Sequence, residues 1–254
     1  MHLRFAILSS LLLAAPVAAE PVAVDLELVL LADATGSIDE TEIRLQRQGY
    51  ADAMVDPQVL WAIDNGGAEG RIAVTYVEWA GERSQDIVVD WMVVEDEASA
   101  RDFGARLMAA PRRAFGSNAI GSALLKGKDL IETNDFEGWR KVIDLSGDSS
   151  WNPLGPPIAV ARDAVLGAGI VINGLAILCR DPCSGRPRFE DLEAEYRYRV
   201  IGGPGSFVVT ADGDQSFAQA VRRKLILEIA DLGDCVADAA ATGCAHATPA
   251  SMLD

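Results

Sequence analysis

Histidine is nearly missing from this chain: among 254 residues only His2 and His246 occur. That removes most Ser-His and Cys-His catalytic schemes, and His-ligated zinc, before any motif is considered. Positive charge is scarce as well. Lys and Arg number 22 against 38 Asp and Glu, a formal charge of −16, so a nucleic-acid duplex or an anionic lipid surface would be repelled unless a local basic patch intervened. Cysteine is limited to Cys179, Cys183, Cys235 and Cys244, with no CxxC spacing, which speaks against a thiolate metal cluster. No apolar run reaches the roughly 20 residues that span a bilayer. What the chain does have is material for a core. Half of it is hydrophobic and only 24% is charged, the composition of one large, ordered α/β domain.

Residues 1–19 place Arg4 ahead of the apolar run from Phe5 to Leu13 and end in Val17-Ala18-Ala19 before Glu20. This is the pattern of a secretory signal peptide cleaved after Ala19, and it predicts a periplasmic or secreted protein with no membrane span in the mature chain. Removing Arg4 leaves 21 basic against 38 acidic side chains, a mature charge of −17, and His2 is lost too. Four cysteines suit an oxidising compartment. Their spacing suggests the short-range pairs Cys179–Cys183 and Cys235–Cys244, although three connectivities are possible.

Apolar, β-branched runs predict strands at 26–32, 71–80, 85–94, 141–145, 170–178 and 206–210. Most are continuous rather than alternating, as expected of strands buried on both faces. Helical period predicts helices at 38–55, 98–108, 119–132, 157–166, 188–198 and 215–230. Only Gly81-Glu82-Arg83-Ser84 separates the second strand from the third, too short for a helical crossover, so those two should form an antiparallel hairpin. The order implies a doubly wound α/β fold: a mainly parallel six-stranded sheet with one antiparallel strand and helices on both faces. One domain is expected over 20–230, followed by a Cys-containing tail at 231–254.

In such a sheet ligands collect beyond the carboxyl ends of the strands, where neighbouring crossovers diverge. After the first strand stands Asp33-Ala34-Thr35-Gly36-Ser37. Before the third helix stands Gly116-Ser117-Asn118, and after the fourth strand Ser146-Gly147-Asp148. Oxygen-only donors of this kind suit a hard divalent cation, Mg²⁺ above all, with Mn²⁺ or Ca²⁺ as alternatives. At these residues the chain resembles the von Willebrand factor A (VWA) domain, whose metal-ion-dependent adhesion site (MIDAS) reads Asp-x-Ser-x-Ser, then a Thr in a second loop, then an Asp in a third. The resemblance spans roughly 24–230. More narrowly, VTYVEWAG, VIDLSGD and FAQAVRRKLILEIA resemble a group of exported proteobacterial proteins of unknown function with this fold.

The resemblance implies Asp33, Thr35 and Ser37 as first-loop ligands, Thr35 keeping the hydroxyl of the usual Ser, and Asp148 as the third-loop acid, acting through water. The second loop departs from the pattern: Asn118 occupies the Thr position, while Ser117 keeps a hydroxyl one residue earlier, and either oxygen could serve. Ordinary local roles compete. Ser37-Ile38-Asp39-Glu40 is also a capping box, Asn118 a possible N-cap and Asp148 a common turn residue.

Other features read as structural. Asp144 lies inside a strand, roughly 13 Å from Asp148, and reads as a buried, hydrogen-bonded acid. Asp212-Gly213-Asp214 reads as a turn and helix cap, Arg222-Arg223-Lys224 as a solvated helix face, and Trp79 and Trp91 as core or hairpin packing. The expected function is non-catalytic: an exported module that binds, through a divalent cation, a protein or surface polymer presenting a carboxylate. Arg180 and Asp181, in a loop closed by Cys179 and Cys183, and Trp151 are expected to wall the partner-binding face. The rivals are a metal-free scaffold and a hydrolase built on Gly147-Asp148-Ser149, which resembles the GDS nucleophile motif but would depend on His246 alone.

Overall fold

The computed structural model describes residues 20–178, 191–212 and 214–230. The expected signal segment 1–19, all four cysteines, Arg180, Asp181, His246 and the tail from 231 lie outside the described residues.

In chain order the elements are β1 (Val22–Asp33), α1 (Glu40–Met54), α2 (Pro57–Asn65), β2 (Ile72–Trp79), β3 (Gln85–Val94), α3 (Glu97–Ala109), α4 (Ile120–Glu132), β4 (Phe136–Gly147), α5 (Ile158–Gly167), β5 (Val171–Leu178), α6 (Leu192–Glu195, continued as a π-helical turn through Val200), β6 (Val208–Asp212) and α7 (Asp214–Ile229). They form one six-stranded sheet in the order β3-β2-β1-β4-β5-β6. Every neighbouring pair is parallel except β2 with β3, the expected hairpin.

Alternation along the strands feeds two cores. Leu26, Leu28 and Leu30 of β1 point to one face, where Tyr50 and Met54 of α1, Ile63 of α2, Phe103 of α3 and Leu225 of α7 cover them. Val29 and Leu31 point to the other, against Ile120 and Leu124 of α4, Val165 of α5 and Tyr196. Trp79 is buried in this second core, and Trp91 packs at 5.9 Å on Phe136, as expected of a core and a hairpin tryptophan.

Two strands run longer at their start than the apolar pattern predicts, and for one reason. Asp25 and Glu27 break the run in β1 yet are buried, because partners distant in sequence satisfy them. Asp25 accepts the N–H of Glu69 at 2.9 Å and of Arg71 at 3.2 Å. Glu27 accepts the N–H of Gly138 at 2.8 Å and the Asn134 amide at 2.7 Å, with Lys141 3.5 Å away. These same contacts seat the first residues of β4, which begins at Phe136 rather than 141. The helix expected over 38–55 starts at Glu40, and a further helix, α2, follows, with Asp56 accepting the Gln58 N–H at its start and Pro57 in its first turn.

The reading of Arg222-Arg223-Lys224 as a solvated face is corrected. Arg223 is exposed, but Lys224 is 1% exposed. It points into the first core between Asp144, 2.7 Å away, and Glu228, one turn further along α7. Asp144 is thus the buried acid the sequence suggested, and Lys224 is its partner. Asn173 of β5 adds a hydrogen bond of 3.3 Å to Glu228. Two carboxylates on one ammonium leave surplus negative charge inside the protein. Burial first, and Asp144's charge after it, push the Glu228 carboxyl up to about 7, against the opposing pull of Lys224 and Asn173. A carboxyl raised in the folded state binds more protons there than in the unfolded chain, so this term of stability is greatest below about pH 4.5 and is lost as pH rises towards 7. Urea unfolding in chelator between pH 5 and 8 is expected to show stability falling through this window, with a shallower slope in Glu228→Gln.

Candidate metal centre

In the strand order, β1 lies between β2 and β4, which are reached by crossovers on opposite sides, so the crevice at the carboxyl ends of β1 and β4 is the switch point of the sheet. Leu31 pairs with Leu145, which brings Asp33 at the end of β1 beside Asp148, just past the end of β4. Both side chains are fully buried.

The first loop is built by Asp33 itself. Its Oδ1 accepts the Thr35 N–H at 2.8 Å, closing an Asx-type turn, and the Ile38 N–H returns to the Thr35 carbonyl at 3.0 Å. That turn brings Thr35 Oγ1 within 3.0 Å of Ser37 Oγ. Ser37 in turn donates to Asp148 Oδ1 at 3.5 Å, and the Asp148 N–H donates to Asp33 Oδ2 at 3.4 Å. Four of the six expected ligands therefore form one connected set of oxygens. The helix cap is Asp39, not Ser37: Asp39 accepts the N–H groups of Thr41 and Glu42, and Glu42 reaches back to the Asp39 N–H. The capping box sits two residues further on than Ser37-x-x-Glu40, and the Ser37 hydroxyl stays at the site.

The second loop touches the first through the Gly36 N–H, which donates to the Gly116 carbonyl at 2.9 Å. Gly116 has φ of 129°, and a Cβ there would lie 3.1 Å from Gly81, so the close approach of these loops calls for glycine. Asn118 is buried and Ser117 exposed. Asn118 is not the cap of α4, whose N-cap is Ala119 without a side-chain bond. The α4 start is instead served from the third loop, where Asn152 Oδ1 accepts the Gly121 N–H at 3.1 Å.

Several positioning residues carry no local signature. Gln46 of α1 donates to the Asp33 carbonyl at 3.1 Å, and Arg112 holds the carbonyls of Ala34 and Thr35 at 2.9 and 3.3 Å. Trp79 Nε1 donates to the Ser146 carbonyl at 3.2 Å. Around the mouth, Phe115 and Trp151 are exposed, and Arg112 stacks 4.9 Å over the Phe115 ring. Ser149, the candidate nucleophile, accepts the Trp151 N–H at 3.1 Å in a local turn, with no histidine among the described residues.

Burial, and then the charge of Asp148, raise the Asp33 carboxyl to about 7, although N–H and hydroxyl donors pull it down. Two acids held together out of water suit a cation between them. No group of three or more His, Cys, Asp or Glu side chains gathers among the described residues; the oxygens here come from two acids and two hydroxyls, a hard-cation set. Gly147 keeps the crevice open, since a Cβ there would lie 2.8 Å from the Tyr196 hydroxyl, 3.0 Å from Asp33 Oδ2 and 3.1 Å from Trp79. Gly147→Ala is expected to cost about 1–3 kcal/mol in urea unfolding, because those neighbours are themselves buried and have nowhere to move.

Among curated proteins no sequence is similar enough to this chain to be matched. Solved structures are. The mussel byssus proximal thread matrix protein 1, described with a zinc-occupied MIDAS motif, superposes with a TM-score of 0.57 at 15% identity, covering 81% of this chain and 46% of that one. The pilus adhesin SpaC from Lactobacillus rhamnosus GG gives 0.53 at 14%, covering 83% and 30%. A von Willebrand factor type A protein from Catenulispora acidiphila gives 0.51 at 17%, covering 82% and 43%. This chain spans about a third to a half of the length of these three proteins, and at such identities the likeness concerns the fold, which is that of the VWA domain. Residues 23–233 match the family described as "Protein of unknown function (DUF1194)", and this chain belongs to that family.

Proposed function

We propose that this protein is an exported, cation-dependent binding module in which Asp33, Thr35, Ser37 and Asp148 hold a divalent metal ion, Mg²⁺ or Mn²⁺, at the carboxyl edge of the sheet. The observation that carries the reading is the connected oxygen set of two buried acids and two hydroxyls at the switch point. Asn118 is the second-loop donor in this proposal, being buried where Ser117 is exposed. When bound, the metal offers an open position to a carboxylate of a protein or surface polymer, and its charge offsets the repulsion that a strongly acidic surface exerts on an acidic ligand. The chain's own residues hold the loops in place. Arg112 and Gln46 fix the backbone of the first loop, Asn152 ties the third loop to α4, and Phe115 and Trp151 flank the opening as apolar contacts for a partner. The adhesin among the structural relatives supports a binding role. No helix among the described residues is long and apolar enough to cross a membrane.

Mg²⁺ or Mn²⁺ is expected to raise the melting temperature, with stabilisation of about 2.7 kcal/mol at a hundredfold excess over Kd. Asp33→Ala should abolish that rise; an equal shift in variant and wild type would overturn the site. In calorimetric titration, Asn118→Thr should tighten metal binding and Ser117→Ala leave it unchanged, and the reverse ranking would assign the ligand to Ser117. A pull-down from envelope extract, with and without chelator and with Asp33→Ala as the control, tests whether a partner depends on the cation.

A further inference from the structure

Tyr196 opens the π-helical turn that continues α6 through Val200, a turn closed by the Ile201 N–H donating to the Tyr196 carbonyl at 3.0 Å. Wide turns of this kind are frequent at functional sites. Tyr196 is fully buried, and its ring lies against two glycines on neighbouring strands. A Cβ on Gly174 of β5 would stand 2.7 Å from the ring carbon Cδ1, and one on Gly147 of β4 would stand 2.8 Å from the hydroxyl oxygen. Gly174 pairs with Leu145 and Gly147 with Ala176, so both glycines lie on the same face of the sheet, beneath opposite ends of one phenol. Glycine inside a strand forfeits packing and conformational order. Two of them under a single ring clear a slot for that ring.

The slot ends at the proposed metal centre. The point that is 2.8 Å from the Tyr196 hydroxyl, where a Gly147 Cβ would stand, is also 3.0 Å from Asp33 Oδ2 and 3.1 Å from the Trp79 ring. Packing alone would be served by phenylalanine, since a phenol buried without a polar neighbour is penalised. Asp33 is such a neighbour, and its Oδ2 also accepts the Asp148 N–H at 3.4 Å. The residue before Tyr196 reaches the third loop as well. Glu195 Oε2 accepts the Ser150 hydroxyl at 3.4 Å, two residues beyond Asp148, and Arg199 holds Glu195 at 3.1 Å.

Resting on the metal centre proposed above, we infer that Tyr196 is a positioning residue of that centre: its hydroxyl, directly or through one bridging water, holds Asp33 Oδ2 from the core side and fixes the orientation in which the carboxylate meets the cation. The role is orientation, not ligation. It makes the α6 segment part of the site, although none of its residues belongs to the three loops.

Tyr196→Phe keeps the ring in its slot and removes only the hydroxyl. In calorimetric titration with Mg²⁺ or Mn²⁺, this variant is expected to bind with a Kd about tenfold or more weaker than wild type, the usual effect of removing a hydrogen-bond partner of a ligating side chain. Tyr76→Phe, whose buried hydroxyl belongs to the first core, is expected to leave the Kd unchanged. Melting temperatures in chelator give a readout without metal. The shift produced by Tyr196→Phe is expected to differ between the wild-type and Asp33→Ala backgrounds, because the hydroxyl and the carboxylate are coupled. A wild-type Kd in Tyr196→Phe, or shifts that simply add, would overturn the role of Tyr196 and leave the metal centre standing. Absence of metal binding by the wild type would instead overturn the metal centre, and the positioning role with it.

Discussion

Where helices cover a sheet on both faces, a carboxylate buried on a strand has no route to water, so it needs a partner inside the protein. This chain places Asp25, Glu27, Glu78 and Asp144 along its strands and Asp33 and Asp148 at their ends, all of them buried. The parity of each position chooses the partner. Glu78 and Asp144 lie on the face of α1 and α7 and meet Arg47 and Lys224 there. Breaking one side of such a pair strands a charge in the interior, which typically costs 3–5 kcal/mol, whereas the intact pair adds little net stability. These pairs therefore act chiefly on how the helices are placed on the sheet. Asp25 is answered by backbone N–H groups just ahead of β2, and Glu27 by the N–H of Gly138 near the start of β4 and the Asn134 amide ahead of it, so they fix where those strands begin.

Asp33 and Asp148 are the exception. They meet each other across the crevice, where the Ser37 hydroxyl and the Asp148 N–H link them. Burial and mutual charge make that arrangement unfavourable for two ionised acids, and Asp33 responds with a raised carboxyl. Strain of this sort is typical of positions held for a ligand, since the surrounding fold has to over-determine them. Here Arg112, Gln46 and Trp79 fasten the backbone on either side, and Gly147 leaves the space that a side chain would otherwise fill.

The strand and helix order, the hairpin and the sheet edge that carries the site were legible because they rest on local signals: apolar runs, helical period and a four-residue connection. That Asp33, Thr35 and Ser37, the proposed first-loop ligands, share one turn was legible for the same reason, as alternate residues of a short segment. Long-range pairing was not. Lys224 sits in a basic triplet that looks like a solvated face, and nothing within α7 reveals that Asp144, 80 positions earlier in the sequence, waits opposite it. Ser37-x-x-Glu40 and Asp39-x-x-Glu42 are both acceptable capping boxes, and the choice between them falls to whichever leaves Ser37 near Asp148.

By itself, then, the sequence determined the class of fold, the antiparallel hairpin and the hydroxyl-and-acid chemistry of the first loop, because burial periodicity and turn chemistry act over a few neighbouring residues. Only the tertiary structure decided which oxygens actually meet, that Asn118 is buried and Ser117 exposed, and that Arg112 clamps the first loop. Those outcomes depend on the register of β1 against β4 and on the packing of α1 beside the end of α3, distances that no local pattern encodes.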